Sequence, residues 1–187
     1  MIPEIELLIF LRYLATGSFI HVAGDLCSVK YTSSWRAVHR MINLIASKVH
    51  RFIKFPSENE IPTISRRFRQ KQGFPNVIGC VDGTHIPVLV PKNDLSETYR
   101  NRKGYMSLNV QMVAGHNEEI FDIVARWPGS THDAVIWTTC RLNGYLSTLE
   151  STHDFHLLGD SAYPLSNYLI TPFKNPTSRR ESNGYFS

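Results

Sequence analysis

Cysteine is scarce in this chain: Cys27, Cys80 and Cys140 are the three in 187 residues, far apart and odd in number. No Cys-x-x-Cys pair occurs, so neither a disulfide framework nor a zinc knuckle is indicated, and the thiols read as reduced and partly buried. No apolar stretch is long enough to span a bilayer. The start, Met1-Ile2-Pro3-Glu4, lacks the basic region and cleavage site of a signal peptide, which gives the expectation of an intracellular chain without membrane attachment. Internal repeats and low-complexity tracts are absent. So are a Gly-x-Ser-x-Gly elbow, a P-loop and a Rossmann glycine pattern, which leaves serine-hydrolase and nucleotide-loop chemistry without support.

What is present is an ordinary globular composition, 42% hydrophobic and 19% charged. The length suits one domain, or a small domain beside a larger one. A net charge of +4 and a pI of about 9.0 give a mild bias towards polyanions. The cations cluster. Arg36, Arg40, Lys48, Arg51 and Lys54 form one group, Arg66, Arg67, Arg69 and Lys71 a second, and Arg100, Arg102 and Lys103 a third. Solvated helix faces and loops would look the same by charge alone.

Apolar periodicity predicts helices through residues 1–56. Ile5, Leu8, Ile9 and Leu14 mark a first helix, which Gly17 ends, with Ser18 placed to cap the next. Phe19, Val22, Ala23 and Leu26 fit a short second helix, and Cys27 to Lys30 a tight turn. A longer third helix begins at Tyr31, with Val38, Met41, Ile42, Ile45 and Val49 apolar. Short helix, turn and longer basic helix is a helix-turn-helix-like layout, with Arg36, Arg40, Lys48 and Arg51 as candidate DNA contacts. A plain helical bundle fits the same pattern. Residues 57–73 read as a charged connector with one helix, apolar at Ile61, Ile64 and Phe68 and broken by Gly73-Phe74-Pro75.

From residue 74 the pattern changes to strands. Val77 to Val81 reads as a buried strand ending at Asp82. Met106, Leu108, Val110 and Met112 alternate with Ser107, Asn109 and Gln111, and Phe121, Ile123, Ala125 and Trp127 form a second alternating run, so the two read as a hairpin. Ser130 to Asp133 resembles a capping box, opening a helix that reaches about Leu142. Phe155 to Leu158 and Leu169-Ile170 complete a mixed sheet flanked by helices, an α/β fold.

Two aspartates, Asp82 and Asp160, each follow an apolar strand. If those strands are neighbours, the carboxylates converge, and a hard cation such as Mg²⁺ or Mn²⁺ is their natural partner. Such ions support phosphodiester cleavage. Each Asp alone fits a turn equally, since Asp-Gly is a common turn dipeptide. Asp133 reads as a helix cap or a third metal ligand. His85 and His132 lie near acids and could orient a carboxylate or a phosphate; as zinc ligands they lack a His-x₃-His pair or a cysteine partner.

Four stretches resemble the PIF/Harbinger transposase superfamily, and in particular the vertebrate harbinger transposase-derived nucleases. They are Gly73 to Ile86, Tyr105 to Ala114, Pro128 to Ala134, and Leu158 to Leu165. Leu11 to Phe19 and Val22 to Leu26 resemble the family's helical segment. The resemblance implies an RNase H-like, DDE-type core over residues 74–187 and a divalent metal, Mg or Mn. It implies Asp82 and Asp160 as the first two catalytic acids, and Asp133 as a further metal ligand. It also implies DNA as substrate, a separate Myb/SANT-like partner protein, and a nuclear location with the cytoplasm as a second one.

Three departures accompany it. The family's third acid, a Glu in a Val-Glu-Arg motif, has no counterpart, because Glu181 stands in a different context, Arg179-Arg180-Glu181-Ser182. The core is therefore expected to be C-terminally incomplete, truncated before that acid, with impaired activity. The N-terminal extension looks shortened, and Ser33-Ser34-Trp35-Arg36 replaces a usual Ser/Thr-Val-Ser-Arg. The alternatives are a non-enzymatic DNA- or partner-binding protein that keeps the fold, and a phosphohydrolase of small substrates. The extended cationic surface weighs against the latter.

Overall fold

The computed structural model describes residues 1–90, 96–149 and 154–173. The chain divides into two compact units, Met1–Phe52 and Ile53–Ser187. Among the described residues no helix is long and apolar enough to cross a membrane.

The first unit is helical. Helix α1 (Pro3–Thr16) has proline in its first turn, where the missing N–H costs nothing. It ends at Gly17, whose φ of 60° is the left-handed conformation glycine tolerates, and the Gly17 N–H closes on Tyr13 O. Helix α2 (Ile20–Asp25) follows, then α3 (Tyr31–Ala46) and a single turn, α4 (Val49–Phe52). Ser18 does not cap α2. The cap residue is Phe19, without a side-chain bond, and the Ser18 hydroxyl is taken by Thr16 Oγ1 at 2.8 Å. Ile9, Phe10, Ala23 and Val38 form the buried centre. Helices α2 and α3 meet closely at Gly24, where any Cβ would collide with Ser34 Oγ.

The second unit is a mixed α/β layer. Helix α5 (Ile61–Gln72) buries Ile61, Ile64 and Phe68 at the i, i+3, i+7 spacing the sequence displays. Strands β1 (Val77–Pro87), β2 (Ser107–Ala114), β3 (Ile120–Pro128), β4 (His156–Gly159) and β5 (Leu169–Ile170) form one sheet in the order β3-β2-β1-β4-β5. β1, β2 and β3 are antiparallel neighbours, whereas β4 runs parallel to both β1 and β5. The crossover from β3 to β4 carries helices α6 (Asp133–Thr139) and α7 (Arg141–Leu149). Trp137, Leu146, Val77, Ile78, Leu157 and Leu169 lie at the centre of the core, each at most 1% exposed.

Four expectations need correction. β1 does not stop at Asp82. Gly83 to Pro87 continue it because each finds a partner on β2, from Gln111 to Ser107. The expected single helix to Leu142 is two, since Cys140 is extended (ψ 152°) and separates α6 from α7. No capping box forms: the N-cap is His132 without a side-chain cap bond, and Asp133 is the first helical residue, not the third. On β2 the simple alternation is not followed, since Val110 is buried and so are its polar neighbours. Ser107, Asn109 and Gln111 are buried, while Leu108 and Met112 are only half-buried. The polar residues are inside because that face carries the loop before α6. Ser107 Oγ bonds Asn101 Nδ2 at 3.0 Å, and Asn109 Nδ2 donates to Thr131 O at 2.9 Å.

Candidate active site

The parallel pairing of β1 with β4 sets the site. Val81 is opposite Gly159, so the next residues along each strand are Asp82 and Asp160. Both are exposed. Asp82 lies mid-strand opposite Met112, so its Asp-Gly dipeptide is not a turn. Asp160 opens a turn in which Ala162 N–H donates to Oδ1 at 2.9 Å and Tyr163 N–H to the backbone O at 3.2 Å. Gly83 N–H likewise donates to Asp82 Oδ1 at 2.8 Å.

Asp133 reaches β1 from the start of α6. A Cβ at Gly83 would fall 2.6 Å from Asp133 Oδ1 and 3.4 Å from Asn109 Oδ1. Glycine is what lets the two oxygens approach the strand. Asn109 Nδ2 donates to Asp133 Oδ1 at 2.8 Å, whereas Asn109 Oδ1 is buried without a hydrogen-bond partner among the described residues. Asp133, Asn109, Gly83, His85, His132 and Arg102 line one cleft of about 110 Å³. Within it, His85 Nδ1 is 3.1 Å from Ser107 Oγ, and His132 is exposed.

Tyr163 unites these groups. Its ring is buried, and burial together with the negative charges of Asp133, Asp82 and Asp160 pushes its phenol far above the usual range, so it stays neutral. All three aspartates thus lie within electrostatic reach of one hydroxyl. Partial desolvation also pushes the thiol of Cys80 up, although its side chain is exposed at the surface. Among the described residues, no three or more His, Cys, Asp and Glu side chains are already gathered to hold a metal ion. Glu181 lies outside the described residues.

The four candidate DNA contacts all belong to the helical unit and are exposed: Arg36 and Arg40 on α3, Lys48 just after it, and Arg51 on α4. Arg40 is already engaged, its Nη1 lying 2.7 Å from the buried Glu6 carboxylate. Sequence reasoning assigns no role to Asn109 or Tyr163, and places Arg102 only in a cation cluster. The one available signal was the polar alternation of β2, which reads as an outer face until the loop above it is in place.

A five-stranded mixed sheet with flanking helices is consistent with a DDE nuclease fold. Residues 81–184 match the family model described as DDE superfamily endonuclease, and the chain belongs to that family, of the transposase-derived PIF/Harbinger type. It is similar to the curated protein named "Putative nuclease HARBI1", 33% identical over 181 residues in Rattus norvegicus and 32% over 182 in Homo sapiens, covering 96% of this chain and 51% of each relative. It is also similar to "Protein ALP1-like" of Arabidopsis thaliana, 26% identical over 182 residues, 90% of this chain and 44% of that one. The chain spans about half the length of the curated relatives it matches. No solved structure matches it.

Proposed function

We propose that this chain carries the RNase H-like core of a divalent-metal-dependent DNA endonuclease, preceded by a helix-turn-helix-like unit that contacts the duplex. The observation that carries the reading is the register of the parallel β1–β4 pair, in which Val81 stands opposite Gly159 and Asp82 and Asp160 are the next residues along the chain. Support for the fold comes from the sheet order, in which three antiparallel strands are followed by two parallel ones. The donor set also fits a hard cation, being oxygen only, with Asn109 Oδ1 buried and without a hydrogen-bond donor among the described residues.

Asp82 and Asp160 would hold the ion, each with one oxygen already tied to a backbone N–H. Asp133 is the third candidate ligand. A bound Mg²⁺ or Mn²⁺ would supply charge to activate water and stabilise the leaving oxygen. Arg102, His85 and His132 would meet a strand phosphate at the cleft. Arg36, Lys48 and Arg51 would add non-specific, salt-sensitive contacts to phosphates, and the exposed Trp35 stands on the same helix. A nuclear site of action and a Myb/SANT-like targeting partner belong to this reading.

A second reading, a DNA- or partner-binding protein that keeps the fold without turnover, is favoured by the lack of a gathered three-ligand group among the described residues. The test is Mn²⁺ binding by calorimetry together with nicking of supercoiled plasmid. Under the enzyme reading both are present, and both are lost in Asp82→Asn and Asp160→Asn. Binding of DNA without nicking selects the second reading. Mn²⁺ binding that survives both substitutions removes the proposed site.

A further inference from the structure

The cleft that His85, Arg102 and His132 line is backed by a buried chain of polar side chains. Asn101 is 4% exposed and Ser107 not at all. Asn101 Oδ1 accepts from the backbone N–H groups of Lys103, at 2.9 Å, and Tyr105, at 3.4 Å. A backbone N–H can only donate, so this end of the amide is its oxygen and the other end its nitrogen. Asn101 Nδ2 therefore donates to Ser107 Oγ, at 3.0 Å. Ser107 Oγ in turn lies 3.1 Å from His85 Nδ1. Gly129 closes over the hydroxyl, since a Cβ there would fall 2.3 Å from Ser107 Oγ.

These bonds leave the Ser107 hydrogen one destination. The hydroxyl oxygen accepts from Asn101, and its other hydrogen-bond partner among the described residues is His85 Nδ1. A hydrogen on Nδ1 would leave a buried O–H without an acceptor, which is strongly disfavoured. The O–H therefore donates to a bare Nδ1, and the imidazole carries its hydrogen on Nε2. Nε2 has no hydrogen-bond partner among the described residues, and the ring borders the cleft beside Arg102, Ser130 and His132. A fixed N–H donor next to a guanidinium suits an anionic oxygen.

Resting on the reading that this cleft receives a phosphate of the DNA strand, we propose that His85 binds a phosphodiester oxygen as a neutral Nε2–H donor, and that Ser107 and Asn101 are the positioning residues that fix its tautomer. The relay holds the ring in one orientation, so the donor is aimed before DNA arrives. His85 supplies a directional bond without charge, whereas Arg102 supplies the charge. Asn101 and Ser107 touch no substrate.

The experiment uses the 187-residue chain at mildly alkaline pH without divalent metal, so the aspartate site plays no part. Long-range ¹H–¹⁵N NMR of the histidine rings, assigned with His85→Ala, is expected to show His85 protonated at Nε2 and bare at Nδ1. Ser107→Ala should release the ring into a mixture of tautomers. Asn101→Asp should invert it, because the new carboxylate takes the Ser107 hydrogen and the hydroxyl oxygen then accepts from Nδ1–H. The wild-type spectrum decides the tautomer even where either variant fails to fold. Binding of a duplex oligonucleotide across a salt series is the second readout. His85→Ala should weaken binding about tenfold, with the slope of log affinity against log salt unchanged. Arg102→Ala should flatten that slope by about 0.9, the share of one phosphate contact. A hydrogen on Nδ1 in the wild-type chain overturns the relay and leaves the metal site untouched. A flattened slope in His85→Ala overturns the neutral donor. Wild-type-like affinity in His85→Ala overturns its contact with DNA: the cleft reading then stands if Arg102→Ala still weakens binding, and falls with it if neither does.

Discussion

Arg40 shows how a residue that reads as a DNA contact can be structural. Its guanidinium meets Glu6, a carboxylate on α1 whose side chain is only 7% exposed. Arg40→Ala leaves that charge buried without its cation, which costs about 1–3 kcal/mol for a pair with one solvated partner. Glu6→Gln in the same background should recover most of the loss. Urea denaturation of the two variants decides it: equal stability of Arg40→Ala and wild type would leave the ion pair without structural weight. A fall in DNA affinity in Arg40→Ala is to be interpreted only beside that measurement, whereas Arg36, Lys48 and Arg51 have no such internal partner among the described residues.

His156, at the start of β4, governs a pH response. Its imidazole is half-buried, and burial lowers its pKa below 6.5, opposed in part by Asp154. A histidine depressed in the folded state contributes stability that is fully present above the unfolded value and is lost as pH falls through the folded one. The urea midpoint is therefore expected to hold near neutral pH and decline from about pH 6.5 downwards. His156→Leu should flatten part of that decline. An unchanged slope in the variant would show that other groups carry it.

Among the elements, β1 bears the most constraint, because it pairs on both sides and holds Asp82 at its middle. Its register shifts between Val77 and Gly79. At Gly79 a Cβ would sit 3.0 Å from Ala114 O and 3.0 Å from Leu157 Cδ2. The first of these is backbone and cannot step aside. Gly79→Ala should cost about 1–3 kcal/mol, by prising β1 from its neighbours. Gly144, inside α7, has nothing within 4 Å of the same position. Gly144→Ala should instead stabilise by about 0.5–1 kcal/mol, since glycine is a poor helix former. Chemical denaturation of the two variants should give shifts of opposite sign, and shifts of the same sign would contradict these contacts.

For the whole molecule, the two units differ in how much apolar surface they enclose. The described core of the first is Ile9, Phe10, Ala23 and Val38, with half-buried neighbours. That of the second gathers side chains from three helices, the segments between elements and all five strands, from Ile61 to Leu169. A domain near fifty residues with so small a core is marginal on its own. A fragment of residues 53–187 is expected to unfold cooperatively, and one of residues 1–52 to unfold at much lower urea or to be only partly helical. Circular dichroism of the two fragments checks this, and a first fragment as stable as the second would refute it.

Much of this was legible in the residue order. The helices around Ile9 and Val38, the helix carrying Ile61, Ile64 and Phe68, the hairpin, and the strands before Asp160 and Pro172 follow from local periodicity, which one segment carries by itself. Gly17 and Gly73 marked helix ends because the left-handed backbone there, at φ 60° and 79°, suits glycine. The motifs around Asp82, Asp133 and Asp160 also pointed to the family. What only the tertiary structure decided was which residues meet. The length of β1 beyond Asp82 depends on hydrogen bonds from β2, a segment some twenty residues away in sequence. The burial of Ser107, Asn109 and Gln111 depends on the loop that closes over them. The register that sets Val81 opposite Gly159 comes from the β1–β4 pairing, and the approach of Asp133 to Gly83 from the start of α6. Local order specifies elements because their hydrogen bonds and apolar faces are short-range. A site made by four separated segments has no local signature, since its energy arises only when long-range pairing brings their charges together.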